Sequence, residues 1–294
     1  MNRLKIIDIL IFDCKKILYG GKFTVQEIIS AIILGIVQGI TEWLPVSSTG
    51  HMILVEEFLK MNVTEEFMST FFVVIQFGSI LAVLTIYFKK LNPFDSSKTQ
   101  IQRKDTIDLW IKVIIAVIPS GIIGILFEDT IDKYFFNPTT VAIALIVYGI
   151  IMILLESRNS KPKVSDFSQL TYKLAFAIGL FQCLALIPGT SRSGSTIIGA
   201  VLIGTSRFIA AEFSFFMAIP TMLGASALKL LGTGFSFNST EWMILGVGCV
   251  VAFVVSIFAI KFLMDYIKKH DFKAFGYYRI VLGIIVLGYF YMLA

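Results

Sequence analysis

The chain has little of what soluble, cross-linked or zinc-binding proteins rely on. Only 15% of its residues are charged, against 56% that are hydrophobic. Soluble domains carry about 25% charged residues, so a soluble fold is excluded. The three cysteines, Cys14, Cys183 and Cys249, are isolated and are accompanied by only two histidines. Because no Cys-x-x-Cys or cysteine–histidine spacing is present, the sequence predicts neither a disulfide framework nor a zinc site.

Basic residues exceed acidic ones, but not in the manner of a nucleic-acid-binding protein. The net charge of +5 comes from lysines between apolar runs, without a basic patch that contains base-stacking aromatics. A signal peptide is not indicated, because Asp8, Asp13, Lys15 and Lys16 interrupt the first apolar run and no small-residue cleavage site follows. We expect residues 1–23 to form an interfacial extension on the membrane.

Long apolar segments take the place of the missing charges. A helix needs about 20 apolar residues to cross the hydrocarbon core of a bilayer. Segments of this length predict an all-α polytopic membrane protein, in which residues 24–294 form a single membrane domain. The six predicted full spans are residues 67–88, 109–127, 138–156, 209–231, 242–263 and 276–294.

Two further apolar stretches, residues 24–60 and 171–206, are interrupted by proline, glycine and hydroxyl residues, and they resemble each other. Matching residues recur at a constant offset of 144 residues, which indicates that residues 171–294 repeat residues 24–156. The offset pairs Gly35 with Gly179, Gln38 with Gln182, Ser47 with Ser191 and Gly50 with Gly194.

The charges of the connections predict how the two repeats lie in the membrane. Connections 89–108, 157–171 and 264–275 are basic, whereas 128–137 and 232–241 are acidic or nearly uncharged. If both interrupted stretches are re-entrant helical hairpins, each repeat has an odd number of full spans, and the second repeat is inverted. This inverted-topology arrangement places every basic connection on the cytoplasmic side of a multi-pass protein in the inner (plasma) membrane.

The first interrupted stretch contains a polar cluster within apolar flanks. Gln38 and Glu42 lie four residues apart and share one face of a helix, which Pro45 then ends. A run of hydroxyl residues follows and supplies an N-cap for a new helix. A carboxylate, an imidazole and a hydroxyl-rich helix N-terminus together predict a buried site for an anion. The polar residues after the proline are Ser47, Ser48, Thr49 and His51.

The second interrupted stretch contains an arginine surrounded by small polar residues. Arg192 lies between Ser191 and Ser193, with Thr196 one turn further along. Its guanidinium group presents five donors in a fork that suits phosphate. An arginine in apolar surroundings normally has a partner, and Glu42 could be that partner. Two interpretations therefore stay open, a structural Glu42–Arg192 ion pair and a phosphate-binding site.

Both stretches resemble the signature segments of the bacterial undecaprenyl-diphosphate phosphatase family, which is also known for bacitracin resistance. The family pattern has Glu or Gln, three residues, and Glu, then a PVSSTGH-like segment, and later PGxSRSxxT. Here these segments are Gln38–Glu42, residues 45–51 and residues 188–196, and many members carry Glu in place of Gln38. The resemblance covers residues 24–290. It implies an inverted-repeat fold and an enzyme that removes one phosphate from undecaprenyl diphosphate, recycling this carrier lipid for cell-wall synthesis with the aid of a divalent cation.

The expected roles combine the resemblance with the chemistry of each side chain. Glu42 is the expected ligand of Mg²⁺ or Ca²⁺, and Arg192 is expected to clamp phosphate and stabilise the transition state. Ser48 is the expected nucleophile, with His51 one helical turn later as its base. Attack by His51 itself, or by a water that His51 activates, stays open. The expected phosphate-binding residues are Gln38, Ser47, Thr49, Ser191, Ser193 and Thr196.

Two other classes of membrane protein, a second phosphatase superfamily and lipid transporters, can be tested against the same residues. The membrane acid-phosphatase superfamily needs a histidine where this chain has Ile198, so its usual mechanism is excluded. A lipid flippase or another transporter of anionic lipids is the alternative, because inverted repeats with broken helices are also typical of transporters. The expected partners are a polyprenyl diphosphate lipid and the bilayer, and the oligomeric state stays open, a homodimer included. Trp43, Trp110 and Trp242 are interpreted as interface anchors, and Arg207 and Glu212 as interfacial ion-pairing residues.

Overall fold

A computed structural model describes residues 25–59, 61–158 and 161–292. The expected interfacial extension at residues 1–23 lies outside the described residues. Within them, the regular secondary structure is helical, apart from one isolated β-bridge between Val164 and Thr205.

The helices follow the order that the internal repeat predicts, two short helices and then three long ones in each half. The first half contains α1 (Val25–Thr41), α2 (Ser48–Leu59), α3 (Glu65–Ile86), the single turn α4 (Phe88–Leu91), α5 (Gln100–Phe135) and α6 (Pro138–Glu156). The second half contains α7 (Tyr172–Cys183), α8 (Arg192–Ile203), α9 (Arg207–Gly232), α10 (Ser239–Tyr266) and α11 (Lys273–Met292), with 3₁₀ turns at Phe167–Gln169 and Leu184–Leu186.

Six of these helices, α3, α5, α6, α9, α10 and α11, are long and apolar enough to cross a membrane. They coincide with the predicted spans, which confirms a polytopic all-α membrane protein. Their ends follow ordinary capping chemistry: Thr64 Oγ1 accepts from the Phe67 N–H at 3.1 Å, and Asn137 Oδ1 accepts from the Thr140 N–H at 2.9 Å.

The basic connections lie together at one end of the molecule, here called the basic end. Lys90 in connection 89–108 lies 4.5 Å from the ring centre of Phe167 in connection 157–171. The Phe272 N–H, in connection 264–275, donates to Glu156 Oε1 at the end of α6. All three basic connections therefore share one end, as the charge pattern predicts.

The two pairs of short helices enter the molecule from opposite ends. The open end of hairpin 1 (α1 and α2) lies opposite the basic end, where Ser30 Oγ donates to the Leu59 carbonyl oxygen at 3.3 Å. The open end of hairpin 2 (α7 and α8) lies at the basic end, where the Lys163 N–H donates to the Gly204 carbonyl oxygen at 2.7 Å. Break 1 (residues 42–47) and break 2 (residues 184–191) meet in the interior.

The main helix contacts join the first half of the chain to the second half. Helix α1 packs on α10 and α7 packs on α5, while α3 packs on α9 and α6 on α11. The matching glycines Gly35 and Gly179 permit the first two of these approaches. A Cβ at Gly35 would come within 2.9 Å of the Gly248 carbonyl oxygen, and one at Gly179 within 2.1 Å of the Ala116 carbonyl oxygen. Small residues at such contacts let membrane helices approach closely.

Candidate active site

The two breaks end in the same backbone conformation. Ser47 and Ser191, which the sequence repeat pairs, both have φ of +72°. Each then caps the following helix, since Ser47 Oγ accepts from the Gly50 N–H and Ser191 Oγ from the Gly194 N–H. A positive φ at a residue other than glycine costs about 1–3 kcal/mol and persists only where the surrounding structure enforces it. Such conformations are concentrated at functional sites.

Glu42 is the centre of the site and joins the two hairpins. Its Oε2 accepts from Gln38 Nε2 at 2.9 Å and from Ser48 Oγ at 3.1 Å, both within hairpin 1. Its Oε1 accepts from Arg192 Nη2 at 2.9 Å, across to hairpin 2. Glu42 is 4% exposed, so these contacts lie in surroundings of low dielectric, where a carboxylate needs such donors.

Arg192 is held on three sides and has one buried donor without a hydrogen-bond partner. Nη1 donates to the Ser214 carbonyl oxygen at 2.8 Å, and the guanidinium carbon lies 5.7 Å from the ring centre of Trp43. Its buried Nε–H has no hydrogen-bond partner within the described chain. Glu42 is its ion-pair partner, as the sequence suggested, and the Nε–H is enclosed by protein.

The interpretation of Trp43 as an interface anchor is wrong. Its side chain is 0% exposed and packs edge-on against Phe215, with ring centres 5.2 Å apart. The position directly after Glu42 is the sequence signal that places this ring beside Arg192 rather than at the membrane surface. By contrast, Arg207 and Glu212 form the expected ion pairs at the basic end.

The hydroxyl residues of hairpin 2 hold the two breaks together. Ser193 Oγ lies 3.0 Å from the Glu42 carbonyl oxygen and 3.2 Å from Ser191 Oγ. Thr196 is fully buried, and its Oγ1 lies 2.7 Å from Ser214 Oγ and 2.9 Å from the Arg192 carbonyl oxygen. In the described structure these groups therefore bond to protein. Thr49 is half-buried in the first turn of α2.

His51 makes different contacts from those that the sequence predicted. Its Nδ1 lies 2.7 Å from the Ser47 carbonyl oxygen, and its Nε2 lies 2.7 Å from Tyr278 Oη. Because a carbonyl oxygen only accepts, Nδ1 carries the proton, and in neutral imidazole Nε2 accepts from the tyrosine hydroxyl. The Ser48 hydroxyl bonds to Glu42 instead of His51. Tyr278 was not identified from the sequence.

Arg279 is a second residue that sequence reasoning missed. It is 0% exposed on α11, and its guanidinium group donates to carbonyl oxygens of both breaks. Nη1 lies 3.3 Å from the Pro45 oxygen, and Nη2 lies 3.0 Å from the Gly189 oxygen and 2.9 Å from the Thr190 oxygen. An arginine within an apolar span is itself a signal of function, and it was available at this position.

The donor chemistry of the site fits a cation that phosphate helps to hold. Within the described ranges no three His, Cys, Asp or Glu side chains converge on one point. The site nevertheless offers the Glu42 carboxylate, the Gln38 amide and the Ser48 hydroxyl, all oxygen ligands of hard cations. Mg²⁺ commonly takes one or two carboxylates and completes its coordination with substrate phosphates and water. This donor set fits such an ion.

The surroundings of Glu42 also suit an anion. Helix α2 begins at Ser48 and α8 begins at Arg192, and both of these residues contact the Glu42 carboxylate. Two helix N-termini, each with a positive dipole end and free N–H groups, therefore point to one place. The arrangement brings a carboxylate, a hydroxyl and a guanidinium group together in apolar surroundings, which suits transfer of a phosphoryl group.

Comparison with known proteins agrees with this chemistry. The family model described as Bacitracin resistance protein BacA matches residues 31–285, which include both breaks and Arg279. Undecaprenyl-diphosphatase 1 of Clostridioides difficile (strain 630) is 77% identical, over 92% of this chain and 99% of the relative. The undecaprenyl-diphosphatase of Acetivibrio thermocellus is 62% identical, over 90% and 98%. That of Enterococcus faecalis is 59% identical, over 89% and 96%.

Proposed function

The chain belongs to the family of Bacitracin resistance protein BacA, and we propose from this premise that it is an undecaprenyl-diphosphatase of the plasma membrane. It hydrolyses undecaprenyl diphosphate to undecaprenyl phosphate and inorganic phosphate. The reaction regenerates the carrier lipid for cell-wall synthesis and thereby confers resistance to bacitracin. The observation that carries this proposal is the Glu42 carboxylate, which receives Ser48 from one hairpin and Arg192 from the other.

The head group binds where the two hairpins meet. The N-termini of α2 and α8 and the guanidinium group of Arg192 supply donors to the phosphate oxygens. Gln38 and the hydroxyl groups near the breaks orient the polar groups around it. The polyprenyl tail stays in the hydrocarbon region, since the outer faces of the spanning helices are apolar.

Ser48 is the nucleophile, and its hydrogen bond indicates where its proton goes. Ser48 Oγ donates to Glu42 Oε2 at 3.1 Å, so the carboxylate accepts the proton as the oxygen attacks the terminal phosphorus in line. The bond from that phosphorus to the bridging oxygen breaks, and undecaprenyl phosphate leaves with the bridging oxygen. Water then hydrolyses the phosphoserine, which releases phosphate and restores Ser48.

This scheme moves His51 from the base of Ser48 to a supporting position. Its Nε2, with the lone pair, faces Tyr278 Oη, at a side chain that is 48% exposed. In the second step Nε2 exchanges the tyrosine hydroxyl for the attacking water and accepts a proton from that water. Direct attack by His51 is the alternative, and it predicts a phosphohistidine in place of a phosphoserine.

A divalent cation, Mg²⁺ or Ca²⁺, belongs to the proposal. Glu42 and Gln38 would hold it together with the diphosphate oxygens, and the ion would neutralise charge on the leaving phosphate. The oxygen donors around Glu42 support this assignment. Chelation is therefore expected to stop phosphate release, and either ion to restore it.

The site is proposed to open to the extracytoplasmic side. The open end of hairpin 1 lies opposite the basic end, and basic connections face the cytoplasm. This hairpin carries Glu42, Ser48 and His51. In oriented vesicles, substrate in the outward leaflet is expected to be hydrolysed. Strict dependence on the inner leaflet would reverse the assignment.

Phosphate release from undecaprenyl diphosphate by the purified protein in detergent tests the function. We expect turnover by the wild type and at least a ~100-fold loss in Arg192→Ala, in line with removal of a donor to the transition state. Arg192→Lys is also expected to be poor, because an ammonium group cannot reproduce the fork. Asp265→Asn, a change at an exposed ion pair, is the control. A protein that moves the lipid across vesicles without releasing phosphate would be a transporter instead.

A further inference from the structure

Arg279 contacts main-chain atoms of both breaks but none of the side chains assigned above to the reaction. Its carbonyl partners are Pro45 in break 1, and Gly189 and Thr190 in break 2, at 2.9–3.3 Å. We propose that Arg279 is a positioning residue, which fixes the two breaks relative to each other so that Glu42 and Arg192 can form their ion pair. This inference rests on the proposed phosphatase function.

The carbonyl groups that Arg279 binds are ones that the hairpins leave unpaired. Breaks without regular helix expose backbone oxygens, and in apolar surroundings each of them needs a donor. Break 1 and break 2 belong to hairpins that enter from opposite ends, so few groups can reach both. A side chain from the second turn of α11 does so, because guanidinium N–H groups point in several directions within one plane.

The partners of Arg279 lie next to the strained residues. Pro45 is two residues before Ser47, and Thr190 directly precedes Ser191, the two serines with φ of +72°. Their conformations aim the first turns of α2 and α8, which carry Ser48 and Arg192. By holding the carbonyls on the approach to each serine, Arg279 helps to enforce the geometry from which the catalytic side chains project.

The space around the guanidinium group is matched to it. A Cβ at Gly194, in the first turn of α8, would lie 3.0 Å from Arg279 Nη1. Helix α8 therefore lies so close to the guanidinium group that a side chain at this position would push Nη1 aside by a few tenths of an ångström.

The charge of Arg279 supplies the competing explanation. Arg192 is paired with Glu42, whereas the ion pairs of the described residues include none with Arg279. Its other neighbour is the ring of Tyr148, 5.7 Å from the guanidinium carbon. If charge alone mattered, any cation at this position would hold the anionic head group equally well. If the fork matters, a lysine would fail despite its charge.

Arg279→Lys and Arg279→Gln separate these explanations when kcat and KM are measured per folded protein in detergent. Misplacement of reacting groups by about 1 Å can lower rates about 100-fold. We therefore expect kcat to fall about 100-fold in both variants, with KM changed less than about threefold. Arg207→Lys, which alters an arginine paired with Glu156 at the basic end, is the control and keeps its kcat. Guanidinium ions are expected to restore part of the kcat of Arg279→Ala.

Three results would overturn the proposal. The first is an Arg279→Lys enzyme with kcat within about threefold of the wild type while Arg279→Gln is inactive, since charge would then suffice. The second is a loss confined to KM. The third is that neither variant folds, or that both lose thermal stability with kcat unchanged, which would make Arg279 a purely structural residue. Wild-type turnover in the same assay keeps these results distinct from failure of the proposed function, in which even the wild type releases no phosphate.

Discussion

Replacing Glu42 by glutamine removes one charge at nearly constant size, and its effects on stability and on turnover have separate causes. The carboxylate receives Arg192, Gln38 and Ser48, and the side chains of the ion pair are only 5% and 11% exposed. Loss of one member of a buried ion pair costs about 3–5 kcal/mol, chiefly because the other charge stays behind. We therefore expect Glu42→Gln to lower thermal stability markedly.

Turnover is expected to fall for a different reason. The amide can neither take the proton of Ser48 nor offer a charged ligand to a cation. A contact of this kind lowers the activation barrier by about 3 kcal/mol. That corresponds to a rate loss of roughly 150-fold. Phosphate release per folded protein and the thermal unfolding midpoint in detergent are the two measurements.

The double variant Glu42→Gln/Arg192→Met separates the two effects. Removing both charges eliminates the unpaired guanidinium, so stability is expected to recover towards that of the wild type. Activity is not expected to recover, because the base and the phosphate clamp are both gone. Additive losses of stability would show that the two charges are not coupled in the folded protein. Appreciable turnover by Glu42→Gln would refute the chemical role of the carboxylate.

Three further predictions concern the nucleophile, the histidine and the topology. Ser48→Ala is expected to lose phosphate release, and wild-type protein quenched with acid during turnover is expected to retain labelled phosphoserine. A label that acid removes would indicate that His51 is the nucleophile. Absence of any label, together with an active Ser48→Ala enzyme, would leave water as the nucleophile. Tyr278→Phe removes the hydrogen-bond partner of His51 Nε2 and is expected to lower kcat with KM little changed, because the base of the second step is no longer oriented; an unchanged kcat would contradict this. Single cysteines at Ser96 and Ser236, both exposed, are expected to react with an impermeant reagent from opposite sides in a cysteine-free background, and labelling of both from outside would end the six-span arrangement.

The architecture was predictable because it depends on local and averaged properties. Hydropathy over about 20 residues is enough to find the spans. Pro45 and Pro188 mark the breaks without reference to distant residues. The repeat offset was reliable because it paired polar residues, and the structure gives one such pair, Ser47 and Ser191, the same φ.

The finer contacts of the site were not predictable in the same way. Spacing alone allowed Ser48 and His51 to bond to each other, but the positive φ of Ser47 leaves its carbonyl oxygen for His51 and directs Ser48 towards Glu42. No local pattern reports a positive φ at serine. Arg279 carried a local signal, an arginine within an apolar span, but its partners are main-chain oxygens 89, 90 and 234 residues away and could not be inferred from the sequence.

The Glu42–Arg192 pair also orders events during synthesis of the chain. Its members are 150 residues apart, and at about 5–20 residues per second the second follows the first by roughly 8–30 s. During that interval hairpin 1 has its carboxylate but not its guanidinium partner, and a lone charge at the centre of the bilayer is costly. We therefore expect hairpin 1 to stay near the membrane surface and to reach its final depth only when the second half of the protein has been inserted.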